Sequence, residues 1–190
     1  MEFRAFVTML IQSDKVNLQL FEREHLYDPS YHRWLRDADV VRYIGREELL
    51  EGVSFAAIED YVKGLWADEN IVFLAVQDRE TDNFIGTAKI RTVDEQGMRS
   101  RYGDIGIMLG DRSCWGRGLA TEVLRCVSRY AFDNLNVPKL TAGAMSPNTA
   151  VIRAFRRIGY VEEGRLRRQF FFEGSYCDHV LLGCLRGELR

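Results

Sequence analysis

The apolar positions of this chain change period along its length, and each change marks an element. "VNLQLF", Val16 to Phe21, alternates apolar and polar residues, which predicts a strand with one buried face. After Pro29, "DPSYHRWLRDADVVRYI" carries an apolar stripe through Trp34, Leu35, Val41 and Ile44 at helical spacing. "SFAAIEDYVKGLWADE" carries a second, through Phe55, Ile58, Val62 and Trp66, with Ser54 placed to cap it. Three strand-like runs follow, "IVFLAVQD", "NFIGTAKIRTV" and "YGDIGIML", joined by "RETDN" and the polar "DEQGMRSR", and such short connections predict antiparallel neighbours. Helical spacing returns with Ala120, Val123, Leu124, Val127, Ala131 and Leu135, one face that must pack on a sheet. "KLTAGAM" reads as a strand, and "NTAVIRAFRRIG" as a shorter helix with Ala150, Val151, Ala154, Phe155 and Ile158 on one side and Gly159 as its stop. "YVEEGRLRRQFFFEGSYCDHVLLGCL" closes the chain as strands around a turn at Glu173, Gly174 and Ser175. The expected order is strand, two helices, three strands, helix, strand, helix, strands. That is an α/β sandwich with a mixed sheet, in a single domain over residues 1–190 whose first 15 residues form an N-terminal strand or tail.

Composition narrows the function classes. With 46% hydrophobic and 28% charged residues, the 190-residue chain suits a soluble globular protein with a substantial core. The 26 Lys+Arg against 28 Asp+Glu leave a net charge of -2, without the basic excess that binding to a phosphate backbone requires, so nucleic acid is not expected as a partner. The apolar run from Ala5 to Ile11 follows Glu2 and precedes no small-residue cleavage site, and no run approaches the ~20 apolar residues of a membrane span. Neither a secretory signal nor a membrane anchor is expected. Cys114, Cys126, Cys177 and Cys184 form no Cys-x-x-Cys pair, and His25, His32 and His179 show no metal-ligand spacing. No metal is expected, and the thiols read as small apolar groups in a reducing, cytoplasmic setting.

Candidate chemistry begins at "GDRSCWGRGLATE". A helix N-terminus leaves backbone N–H groups unpaired, and its aligned peptide dipoles place about half a positive charge there. Glycines at 116 and 118 remove the β-carbons that would hold a pyrophosphate away from those amides, and Arg112 and Arg117 are placed to add charge. Glycine also serves tight turns, so spacing alone leaves anion binding and a plain turn both open. A Rossmann fingerprint does not fit, because three antiparallel strands precede the glycines and "DRSCW" separates them from the last strand; the Walker pattern lacks its Gly-Lys-Ser/Thr.

Several ordered motifs nevertheless resemble one family. "WGRGLATE", "YAFDNLNVPKL", the asparagine at 148, "F..IGY" ending at Tyr160, "EGRLR" and the "EG.Y.D" turn to Asp178, with "YHRWLRDADVVRY" near the start, resemble the GNAT N-acetyltransferases, specifically the RimJ/RimL-like branch, from Val16 onward. The resemblance implies a GNAT-like mixed, mainly antiparallel sheet with helices on both faces. It implies acetyl-CoA as cosubstrate, its pyrophosphate cradled by Trp115, Gly116, Arg117, Gly118, Leu119 and Ala120. The family pattern has Gln or Arg where this chain has Ser113, and the adjacent Arg112 is the expected substitute. By the same resemblance the pantetheine arm pairs with backbone groups of Ile107, Met108 and Leu109, as an added strand pairs with a sheet edge. Asn148 matches the family asparagine that contacts the cofactor arm, and it can equally open the helix after Pro147.

Acetyl transfer to an amine needs a free lone pair, yet a lysine-type amine has a pKa of ~10 and an α-amine ~8. A base must therefore take a proton, and Asp104 in "GDIGI" aligns with the acidic position of the RimL-like branch; it is expected to act through water because its side chain is short. The family's acids for the leaving thiolate are absent, Phe155 standing for tyrosine and Val151 for serine. Tyr160, Ser146 and Tyr176 remain as replacements, alongside direct departure of the thiolate into solvent. Arg153, Arg156 and Arg157 form a solvated helix face within reach of a CoA phosphate, and the Arg and Phe run at 165–172 reads as a strand with one wet and one core face.

The expected activity is acetylation of a primary amine by direct attack, on a small-molecule or peptide substrate: an aminosugar nucleotide, a polyamine or a protein N-terminus. The two N-terminal helices and the "EGSYCD" turn are expected to form the acceptor pocket, with Trp34, Tyr43 and Trp66 either lining it or in the core. A flat polar pocket would favour a peptide, cationic walls a nucleotide-linked amine. The alternative is a catalytically weak acyl-CoA-binding or sensing protein. A homodimer is the family-level expectation.

Overall fold

The computed structural model describes residues 10–95 and 100–190. Most of the apolar run from Ala5 to Ile11 and part of "DEQGMRSR" lie outside the described residues. Strand β1 (Leu10–Gln12) pairs antiparallel with β2 (Val16–Leu20). Four short helices follow: α1 (Arg23–Leu26), α2 (Pro29–Trp34), α3 (Ala38–Val41) and α4 (Glu47–Glu51). The single helix expected after Pro29 is thus two, because Asp37 opens a new one with its carboxylate accepting from the Asp39 N–H at 2.9 Å. Ile44, expected on the apolar stripe, is 40% exposed beyond the end of α3.

Helix α5 (Phe55–Ala67) is capped by Ser54, whose Oγ accepts from the Ala57 N–H at 3.2 Å. Its buried stripe is Ile58, Val62 and Leu65, so Phe55 and Trp66, expected to face inward, lie on the flanks. Leu65 completes the three- and four-residue spacing that points at the sheet, and the Trp66 indole instead donates to the Phe21 carbonyl at 2.7 Å.

The sheet then builds outward through β3 (Ile71–Asp78), β4 (Phe84–Glu95) and β5 (Ser100–Leu109), all antiparallel. Helix α6 (Leu119–Asn134) crosses back over it, β6 (Lys139–Met145) lies parallel to β5, and α7 (Thr149–Arg157) leads to the hairpin of β7 (Val161–Phe172) and β8 (Ser175–Leu185). The left-handed φ angles of Glu173 (47°) and Gly174 (81°) make the two-residue turn of that hairpin. The strand order is β1-β2-β3-β4-β5-β6-β8-β7, with β5 and β6 the parallel pair.

Each sheet face has its own core. One packs Leu74, Ile90, Ile105, Leu140 and Leu182 against Val123, Leu124, Val127 and Ala131 of α6 and Ile152 and Phe155 of α7. The other packs Phe73 and Ala75 against Tyr31, Trp34, Val41, Ile58 and Val62 of the N-terminal helices. The expected mixed, mainly antiparallel sheet with helices on both faces is therefore what the chain forms. No helix of the described residues is long and apolar enough to cross a membrane.

Candidate active site

The site begins where the parallel pair comes apart. Strands β5 and β6 are in register only at Gly103–Leu140 and Asp104–Thr141, and from Ile105 onward β5 has no strand partner on its β6 side among the described residues. Backbone donors and acceptors along that edge need partners from elsewhere, which makes the gap a place for an extended ligand. A cavity of about 630 Å³ fills it, lined by Ile105 to Leu109, by Gly143 and Ala144 of β6, by the start of α6 and by one side of α7.

The glycine turn stands at the far end of this cavity. Gly116 and Gly118 have φ of 78° and 80°, which favours glycine, and a β-carbon at either would meet no atom within 4 Å. Gly118 is the N-cap of α6 and no side chain caps the helix, so its first N–H groups stay available beside the cavity. A diphosphate fits this arrangement: donors, dipole and open space coincide. Trp115, Gly116, Gly118, Leu119 and Ala120 line the cavity together with Ile107, Met108 and Leu109. The Trp115 indole donates to the Leu109 carbonyl at 2.9 Å and so ties the turn to β5. Asn148 also lines it, and its Oδ1 accepts from the Val151 N–H at 3.3 Å as the N-cap of α7.

Two arginines depart from expectation. Arg117 does not line the groove: its guanidinium turns back to Asp78, at 2.6 Å, and to Glu80. Asp78 is 1% exposed and bonded by Arg117, the Glu80 N–H and Thr81. Burial alone would push its carboxyl up, but these donors hold it below the usual range. Arg117 is therefore a tether between the glycine turn and the end of β3, not a phosphate-facing side chain. Arg112 is likewise engaged, at 2.7 Å from Asp39 and 3.6 Å from Asp37, and does not line the groove, although Asp39 does. Cations do reach the cavity from α7, where Arg153 and Arg157 line it and Arg156 pairs with Glu162 at 2.6 Å. Because the tether needs both partners, Asp78→Asn and Arg117→Met should each raise the KM for acetyl-CoA three- to tenfold, the worth of one net hydrogen bond, ~1 kcal/mol. An Arg117 that contacted phosphate would give opposite signs, since Asp78→Asn would release it to bind.

Asp104 sits at the crotch of the splay. Alternation along β5 puts Asp104, Gly106 and Met108 on the face of the N-terminal helices, with Ile105 turned to the opposite core. Thr141 Oγ1 donates to its carboxylate at 3.2 Å. Burial raises the Asp104 pKa, against the Thr141 hydrogen bond and the charges of Lys89, Arg91 and His179. His179, which sequence reasoning considered only as a metal ligand, lies across Gly143, where a β-carbon would fall 2.1 Å from its Nε2. Its pKa is lowered by burial, opposed by Asp104, so the ring favours its neutral form. A glycine inside the strand "KLTAGAM" was the available signal for such a close approach.

A second cavity, of about 330 Å³, adjoins the first and shares Ile44, Gly106, Ile107 and Met108 with it. Leu35, Leu49, Val53, Ala57, Ile58 and Phe73 form its apolar wall, with Tyr31, Tyr61, Thr87, Lys89, Arg46 and Glu48 as the polar groups. Trp34 packs in the core, and Tyr43 lines the larger groove instead. The hairpin turn lines neither cavity; it holds the roof, Phe172 stacking on Tyr43 at 5.1 Å and Glu173 pairing with Arg42. Of the candidate acids, Tyr160 is buried in the core with its hydroxyl 3.0 Å from Ser128, Ser146 Oγ accepts from the Asp178 N–H, and Tyr176 packs on Phe171. None lines the groove. Val151 and Phe155 line it, and Phe155 is 2% exposed.

Comparison with known proteins agrees with this geometry. Residues 15–161 match the model of the acetyltransferase (GNAT) domain. The chain belongs to the GNAT family. Over 131 residues, 69% of this chain and 70% of the relative, the GNAT sequence is 30% identical to the probable N-acetyltransferase YjcK of Bacillus subtilis (strain 168). The GNAT fold aligns with spermidine N-acetyltransferase from Vibrio cholerae, solved with CoA and spermine, at a TM-score of 0.79 and 23% identity over 93% of this chain and 98% of that one. It aligns with RimL, a ribosomal L7/L12 α-N-protein acetyltransferase in complex with coenzyme A, at a TM-score of 0.77 and 15% identity, again over 93% and 98%. As a GNAT enzyme the protein is an acetyl-CoA-dependent acetyltransferase, with acetyl-CoA as its cosubstrate.

Proposed function

We propose that the enzyme is a RimJ/RimL-like GNAT that moves an acetyl group from acetyl-CoA to a primary amine by direct attack, with Asp104 as general base. The splay of β5 from β6, opening onto the uncapped glycine turn, is the observation that carries the reading. In it the pyrophosphate lies on the backbone of Trp115 to Ala120, the pantetheine arm runs along Ile107 to Leu109, and Asn148 contacts that arm. The free edge of β5 gives the thioester carbonyl an amide on which its developing negative charge can rest. The amine enters from the smaller cavity, its proton passes through water to Asp104, the C–N bond forms, and the C–S bond breaks. With Val151 and Phe155 in the groove and none of Tyr160, Ser146 and Tyr176 lining it, the CoA thiolate, pKa ~8.5 as for an ordinary thiol, takes its proton from solvent. All four cysteines are free, which suits the cytoplasm.

Calorimetric titration with acetyl-CoA, with NADH as control, and multiple-turnover thiol release over an amine panel test the reading. Micromolar binding, ~8 kcal/mol, with turnover of at least one amine is expected. Tight binding without turnover of any amine would mark an acyl-CoA sensor instead. Gly118→Val should weaken acetyl-CoA at least tenfold, ~1.4 kcal/mol, because it places a branched side chain at left-handed φ and a β-carbon in the path of the phosphates.

A further inference from the structure

The smaller cavity carries a charge that the proposed reaction does not use. In the sheet, Phe73, Lys89 and Gly106 lie side by side on β3, β4 and β5. Lys89 is therefore on the cavity floor, half-buried among apolar walls, and it has no ion-pair partner among the described residues. A cation in such surroundings is costly unless an anion meets it. Beside it, Gly106 leaves open space, since a β-carbon there would meet nothing within 4 Å. Asp104 is the next residue of β5 on the same face, towards the crotch. The floor thus presents an open position and a lysine that can receive an anion, and one same-face step along β5 beyond the lining stands a carboxylate that can take a proton from an amine.

We infer that the acceptor is a small primary amine with an apolar body and an anionic group, carboxylate or phosphate-like, close to the amine, and that Lys89 binds that anion. The inference rests on the proposed amine acetylation and names its substrate class. A volume of about 330 Å³ is at the lower end for ligand pockets and suits an amino-acid-sized molecule rather than a nucleotide conjugate. Arg46 adds a second cation at the wall, its guanidinium 4.7 Å from the Tyr61 ring centroid, while Glu48 is the one carboxylate among the described lining residues. A polyamine, with cations at both ends, would meet Lys89 and Arg46 with the wrong sign. A polypeptide N-terminus would present an amide where the anion belongs.

Matched acceptors test this. Phenethylamine, phenylalanine and 1-amino-2-phenylethylphosphonate differ only at the position of the anion, and spermidine serves as the polycation. Thiol release should give phenylalanine or the phosphonate a kcat/KM at least tenfold above phenethylamine, and above spermidine, with the preference between the two anions identifying the group. In Lys89→Met the ratio of anionic to bare amine should collapse towards one, and in Lys89→Arg it should persist. Binding of 3-phenylpropanoate, which has the anion and no amine, is measured in parallel by calorimetry and should be lost in Lys89→Met. Preference for phenethylamine or spermidine would overturn the inference and leave amine acetylation standing. Slowing of every amine by the same factor in Lys89→Met would do likewise, assigning Lys89 to the ionisation of Asp104. Binding of 3-phenylpropanoate without turnover of any amine would keep the anion site and overturn the proposed reaction; absence of both would end both.

Discussion

Asp104→Asn is expected to lower kcat by about 10²–10³ at pH 7, the range for loss of a positioned general base, while the protein stays folded. The pH profile separates this from a structural effect. Burial puts the Asp104 pKa above that of an ordinary carboxylate, ~4, so the wild-type kcat should rise along an acid limb displaced upward from that value. The limb should vanish in Asp104→Asn. Thr141→Val removes a donor that favours the charged carboxylate, and should move the limb further up.

Stability should move the other way. A carboxyl with a higher pKa in the folded than in the unfolded state binds more protons when folded, so this group's contribution to stability is greatest at low pH and declines as pH rises through the window between the two values. In its ionised form the half-buried Asp104 is a cost to the fold, and asparagine removes it while still able to accept from Thr141. The thermal midpoint of Asp104→Asn should therefore equal or exceed that of the wild type, the trade-off expected where a side chain is kept for chemistry. An unchanged rate at every pH would remove Asp104 from the mechanism. A joint fall of rate and midpoint would make it a packing residue.

What could be read from the sequence was what local physics decides. "KLTAGAM" is β6 residue for residue, and Ser54 caps α5, because alternation and capping act within a few positions. The four-residue α1 and five-residue α4 escaped, since helices so short hold little periodicity and depend on caps and packing. Phe55 and Trp66 were placed on the wrong side of α5 because a stripe can be drawn through several neighbouring residues, and only the sheet beneath selects Ile58, Val62 and Leu65. In the site, the glycine turn and Asp104 are visible as motif residues, but the ion pairs that turn the Arg117 side chain away from the groove are not, because its partners, Asp78 and Glu80, are distant in sequence. Lys89 carries no local signal, and His179 only the indirect one of a glycine at 143 in the strand it lies against. They join Asp104 only because β4 and β8 lie beside β5 and β6 in one sheet.

Gly106 gives the sharpest separation of function from fold. Its φ is not left-handed and a β-carbon there would touch nothing, so no turn or close contact within the chain requires glycine. A side chain at this strand position should even favour the fold, since glycine in a strand is entropically costly. Yet Gly106 borders both cavities, and on its face of β5 it lies between Asp104 and Met108, where amine and thioester are proposed to meet. The series Gly106→Ala, Gly106→Val and Gly106→Leu should therefore leave the thermal midpoint level or raised. Its kcat/KM for the acceptor should fall stepwise, reaching a loss of at least about 10²-fold for leucine, the scale on which a displacement of ~1 Å at the reacting atoms is felt. Acetyl-CoA binding to Gly106→Ala should survive, because the glycine turn of α6 that is proposed to hold the pyrophosphate is untouched. Equal activity across the series would mean that the acceptor does not pass this position, and the amine would have to reach the splay from the α7 side. Midpoints that fall with activity would instead show that the space beside Lys89 is needed for packing, so the series distinguishes an open reaction site from a tolerated void.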